Sequence, residues 1–168
     1  MFTNAQQFIG EYTYESGITR SLFANLTDAT LGQAQADGLY NLGQIAWHIS
    51  SSRCYLFGQT GFDMPDQGHG FPENMTADMI RQNYDMLLER VLSQAATKSD
   101  DDLNVVYRFF DKMNVSLGQM MRMVISHEVH HRGQLSVLMR QAGLGIPGIY
   151  GPNAEDTKIM MEQMAQQG

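Results

Sequence analysis

Residues 115–141 read VSLGQMMRMVISHEVHHRGQLSVLMRQ, and their spacing decides the fold. A helix turns about 100° per residue, which gathers Leu117, Met120, Val124, Leu135 and Leu138 into one apolar stripe. The stripe centre falls close to His131, so the segment reads as a core-facing helix from about Val115 to Gln141, ending near Gly143. Positions four apart lie within about 40° of each other, so both side chains can reach one ion. His127 and His131 meet that condition. The pair is half of a metal site, directed inward. His130 projects about 100° further round than His131 and reads as a supporting or surface residue.

Outward from this helix the chain reads as helical almost throughout. Asn4 can cap a first helix to about Ala24, with Phe8, Ile9, Tyr12 and Leu22 inward and Gly10 and Gly17 weakening it. A second helix is predicted from about Leu39 to Gln59 on the spacing of Leu42, Ile45, Ile49 and Leu56. Residues 61–74, GFDMPDQGHGFPEN, hold four Gly and two Pro, which predicts a long connection. Thr76 then caps a third helix carrying Ile80, Tyr84, Leu87, Leu88, Val91 and Leu92 inward. After the acidic break SDDD at 99–102, Leu103 to Phe110 has extended character. A Gly/Pro-rich tail, GLGIPGIYGP, precedes a short final helix over Ala154 to Gln166. The pattern predicts an all-α chain: a four-helix bundle with a long crossover between helices 2 and 3, plus a short C-terminal helix.

The 168 residues, 43% of them hydrophobic, suit one domain over 1–168. A net charge of −7 and scattered Lys and Arg argue against nucleic acid and against an anionic membrane surface as partners. No apolar run is long enough to span a bilayer, and MFTNAQQFIGEY lacks the features of a secretion signal. With a single cysteine, Cys54, no intrachain disulfide can form, and a cytoplasmic location is expected.

His48 is the natural third ligand, because one helix cannot easily present three imidazoles to one ion. On its wheel it lies at the edge of the apolar stripe with Asn41, Ser52 and Tyr55, a polar strip beside a core. Its alternative is a solvated or hydrogen-bonded histidine. His127, Glu128 and His131 also match H-E-x-x-H, in which the Glu would act as general base on a zinc ligand water. Against that, no His follows His131 and Gln134 stands where the extended motif needs Gly. Glu128 pairing with Arg132 one turn on is the simpler expectation.

The second-helix run NLGQIAWHISSSRCYLFG, the run HEVHHRGQLSVLMRQAG at 127–143 and the tail PGIYGP at 147–152 together resemble the DinB/YfiT-like superfamily over nearly the whole chain. The resemblance implies a four-helix bundle with a long crossover and a metal held near one end by His48, His127 and His131, the three residues the wheels also select. It implies zinc, nickel or iron as the metal and homodimerisation. Characterised relatives are glutathione-, mycothiol- or bacillithiol-dependent transferases or isomerases, so a low-molecular-weight thiol cosubstrate and a small-molecule substrate are expected. The 13 Met suit an adaptable core or a dimer interface.

Three imidazoles leave coordination positions open, the pattern of a catalytic rather than a closed structural site, and an ion there would lower the pKa of a water or thiol ligand. Zinc and nickel lead, since imidazole suits several metals. Glu128, Gln134 and Tyr55 are the candidate catalytic side chains, with hydrogen bonding to solvent for Gln134 and aromatic packing for Tyr55 as the simpler roles. Tyr150 either covers the site or anchors the tail. Arg53 and Arg132 read as surface residues able to attract an anion. His69 and Cys54 are excluded as ligands. The expected function is a metal-dependent transferase or hydrolase. The alternatives are a non-catalytic metal-binding stress-response protein, an H-E-x-x-H zinc hydrolase, or a structural bundle whose histidines hold nothing.

Overall fold

Each long helix begins where a side chain can satisfy its first free N–H groups. The computed structural model describes residues 1–166. Helix α1 (Ala5–Phe23) is opened by Asn4, which accepts from the backbone of Gln6 and Gln7. It runs unbroken through Gly10 and Gly17 because tertiary packing of Phe8, Tyr12 and Leu22 outweighs the low propensity of glycine. Helix α2 (Leu42–Gly58) starts later than Leu39. The Asn41 side chain accepts from Gln44 N at 2.9 Å while the Gln44 side chain accepts from Asn41 N at 3.0 Å, and this reciprocal cap fixes the boundary. Thr76 opens α3 (Ala77–Ala95), and a similar Ser116–Gln119 cap opens α4 (Leu117–Gln141). A shorter helix, α5 (Ala154–Ala165), is capped by Asn153 and buries none of its residues.

The extended character of 103–110 resolves into a hairpin of β1 (Val106–Phe109) and β2 (Met113–Ser116), paired antiparallel with Tyr107 opposite Val115. Val115 therefore belongs to a strand rather than to the fourth helix. The turn places Phe110 and Asp111 in the left-handed region (φ 46° and 54°) and is closed by Lys112 N–H to the Phe109 carbonyl at 3.0 Å. Its sequence contains no glycine, so it carries no conventional hairpin signal. The chain is thus mostly helical with one small sheet.

Residue pairings give the directions of the helices. Met75 lies beside Gly43 and Asn83 donates to Ser50, so α2 and α3 run the same way and the connection over 59–76 must carry the chain back along their length. Phe2 bonds to Gly118 and Glu11 pairs with Arg122, so α1 and α4 also run alike. Helix α1 packs on α3 and α4, and α2 packs on the same two. Apolar side chains fill the space between them, among them Phe8, Phe57, Leu42, Ile49, Ile80, Leu87, Leu117 and Leu135.

The middle of this core is polar. Arg53, Glu128 and Arg132 are at most 3% exposed, which corrects the surface reading of both arginines. Glu128, not His131, sits at the centre of the inner stripe of α4. Glu128 does not pair with Arg132. It accepts from Thr19 at 2.6 Å, Tyr84 at 2.5 Å, Arg53 at 3.2 Å and Tyr12 at 3.4 Å. Arg53 also donates to the Tyr84 carbonyl at 3.1 Å and lies over the Tyr84 ring at 4.2 Å. Arg132 instead binds the Glu15 carboxylate, the Glu15 carbonyl at 2.8 Å and the Tyr150 hydroxyl. Tyr150 in turn donates to Glu15 at 2.6 Å, so it anchors the tail to α1 and α4 and does not cover the histidines. A buried charge is tolerable only when paired and hydrogen-bonded, and here the partners come from four different segments. Among the described residues no helix is long and apolar enough to cross a membrane.

Candidate metal centre

Because Glu128 takes the centre of the α4 stripe, its neighbour His127 and the residue one turn on, His131, emerge at the stripe's edge. Helix α2 repeats the arrangement: Arg53 is fully buried and His48 lies at the flank. The flanks of α2 and α4 adjoin, and all three histidines are half-buried there. His48 Nε2 and His127 Nε2 are 2.9 Å apart. The ring centroids of His48 and His127 each lie 4.5 Å from that of His131. One nitrogen from each residue can be chosen so that all lie within 4.8 Å of one another. Among the described residues this is the one group of His, Cys, Asp or Glu able to share an ion.

The donor set fits a divalent metal. Two nitrogens about 2.0–2.1 Å from one ion stand about 2.9 Å apart at a right angle and about 3.4 Å apart at the tetrahedral angle. The observed His48–His127 separation falls at the lower end of that range. Burial lowers the pKa of each ring. For His127 burial is joined by the three neighbouring imidazoles, and the value falls to about 4. His48 is lowered by burial and by His131. His131 is lowered by burial, partly opposed by its bond to Gln134. All three are therefore neutral near pH 7, the form that binds metal.

Gln134 stands 2.7 Å from His131 Nδ1 through its amide oxygen. An amide oxygen only accepts, so Nδ1 carries the proton and the Nε2 lone pair is left for a ligand bond. Its partner is His131 rather than His127, whose side of the helix it was expected to share. The Tyr55 ring packs on Phe110 with centroids 6.1 Å apart, and its hydroxyl lies 3.4 Å from His127 Nε2. Burial raises its pKa, which keeps the hydroxyl protonated at neutral pH. His130 is exposed beside His131, and Glu128 is turned into the core and occupied there, so the geometry denies it the role of base in an H-E-x-x-H hydrolase. His69 is exposed; Cys54 is half-buried, outside the histidine group, with a thiol pushed up to about 11 mainly by burial.

The family model for the DinB family matches residues 1–166. The chain belongs to the DinB family. It is 31% identical over 156 residues to the Bacillus subtilis protein YrdA, covering 93% of each chain. The crystal structure of a DinB-like protein from Bacillus cereus is similar at a TM-score of 0.83 with 32% identity, over 89% of this chain and all of that one. A DinB-like protein from Bacillus subtilis shares the fold at 17% identity, with a TM-score of 0.68 over 88% of this chain and 99% of that one.

A cleft of about 640 Å³ opens against His131 and Gln134, walled by the loop residues Gln35, Gly38, Leu39 and Tyr40 and by Ile45, Val137 and Leu138. Sequence reasoning missed the loop wall: residues 35–38 follow no helical or strand period, and Leu39 and Tyr40, expected to open the second helix, precede α2.

Proposed function

We propose that this DinB-family protein is a metal-dependent enzyme, a four-helix bundle formed by the whole chain as one domain, that uses an open tri-histidine site for transfer or hydrolysis on a small-molecule substrate. The observation that carries the reading is the convergence of His48, His127 and His131 to within 4.8 Å. Zinc or nickel is the expected ion, with iron as the further choice, because imidazole donors suit them all. A divalent ion held there supplies Lewis acidity, bringing the pKa of a water or a low-molecular-weight thiol toward neutrality. His48, His127 and His131 bind. Gln134 holds the His131 ring in the binding tautomer, and the Tyr55 hydroxyl offers a proton donor at the rim of the site. A cytoplasmic homodimer is part of the same reading.

Elemental analysis of untagged protein tests it, wild type beside His48→Ala, His127→Ala and His131→Ala. Near-stoichiometric metal, reduced by each substitution, is the expected result. Wild-type protein that takes up neither zinc nor nickel on incubation would sink the reading. Metal-loaded protein inactive with every thiol and water-dependent reaction would leave a metal-binding stress-response protein.

A further inference from the structure

The cleft against His131 has a chemical character that narrows what it can hold. Its volume of about 640 Å³ sits within the range of about 300–1,000 Å³ usual for small-molecule sites. Leu39, Tyr40 and Val137 are each more than half exposed, at 57%, 54% and 53%, although they stand together on its walls. Apolar groups gathered in a concave surface and left in water gain free energy when an apolar ligand covers them. The polar side-chain groups in the wall are the amides of Gln35 and Gln134, the imidazole of His131 and the hydroxyl of Tyr40, and none of the described lining residues is Asp, Glu, Lys or Arg. Away from the metal end, a charged group on the ligand would lose hydration and find no counter-charge on the wall. His131, one of the three candidate ligands, lines the cleft beside Gln134, to which its Nδ1 is tied.

Resting on the tri-histidine reading above, we propose that this cleft binds the body of the substrate, and that the substrate is an uncharged, largely alkyl or aryl small molecule with one donor atom at the metal end. A thiol bearing several carboxylates does not match this wall, so such a cosubstrate has to approach the site from elsewhere.

Zinc-loaded protein titrated by calorimetry with straight-chain alkyl hydroxamates, from acetohydroxamate to octanohydroxamate, tests this. The hydroxamate head binds the ion and the chain reports on the cleft. Burying a methylene is worth up to about fourfold in affinity, so Kd falls about two- to fourfold per added carbon in the wild type. In Leu39→Asp and Val137→Asp the chain-length gain disappears while acetohydroxamate binds as before, which also shows that the exposed-site variants remain folded. Equal affinity along the series in zinc-loaded wild type, or an undiminished gain in both variants, overturns the cleft assignment and leaves the metal site standing. Failure to load zinc at all overturns the tri-histidine reading and this proposal with it.

Discussion

Arg53 and Glu128 form an ion pair at 3.2 Å with side chains 1% and 3% exposed, and Glu128 is the chain neighbour of His127. One peptide step on α4 thus separates the charge that ties the core together from an imidazole that faces the candidate metal centre.

Removing one partner of this pair strands the other. Glu128→Ala leaves Arg53 buried without a counter-charge and is expected to cost about 3–5 kcal/mol in denaturant unfolding. The double substitution Arg53→Met with Glu128→Leu should recover much of that loss. Folded Glu128→Gln should bind metal as the wild type does. Loss of metal binding or of any hydrolytic activity with stability unchanged would restore Glu128 to the site.

Gln134 bonds to His131 Nδ1 at 2.7 Å. In Gln134→Ala the ring loses its Nδ1 acceptor, so metal affinity should fall about 10–100-fold while the melting temperature of the metal-free protein barely moves. Gln134→Glu, which keeps an acceptor, should retain most of the affinity. Competition with a chromophoric chelator measures both.

Gly118 closes the N-terminal end of α4 against the chain's own start. A Cβ there would approach the Phe2 carbonyl oxygen to 2.0 Å, and Phe2 N–H donates to the Gly118 carbonyl at 3.1 Å. Gly118→Ala must push residues 1–3 away and is expected to cost about 1–3 kcal/mol, read as a lower denaturation midpoint. An unchanged midpoint would mean that this segment does not contribute to the core.

The tyrosines report the buried polar centre. Burial raises the Tyr12 and Tyr84 pKa well above the ordinary value near 10, with Glu128 adding to both, and Tyr150 rises to about 12 through burial and its bond to Glu15. A phenol whose folded pKa exceeds its unfolded one contributes stability below the unfolded pKa and loses it as pH climbs through the folded value. Stability should therefore decline above about pH 10, Tyr150 losing its share between about 10 and 12. In a phenolate absorbance titration, Tyr12 and Tyr84 should ionise only with unfolding. Seven phenols titrating together near 10 would contradict the network.

Helical periodicity and capping chemistry are local, so the sequence alone determined the four long helices, the caps at Asn4 and Thr76, and the trio His48, His127 and His131. What it could not determine was the fate of Arg53, Glu128 and Arg132. A wheel scores a charged side chain as outward, and only partners from other segments, Tyr12, Glu15, Thr19 and Tyr84, make burial affordable. That non-local pairing takes the centre of the inner faces and leaves the histidines on the flanks where α2 meets α4. The hairpin was equally hidden, because Phe110 and Asp111 hold left-handed backbone without glycine. The cleft beside His131 has residues 35–40 on one wall and α4 on another, parts of the chain almost 100 residues apart. Residue type and spacing supplied the three imidazoles; tertiary packing decided which face they occupy and what can reach them.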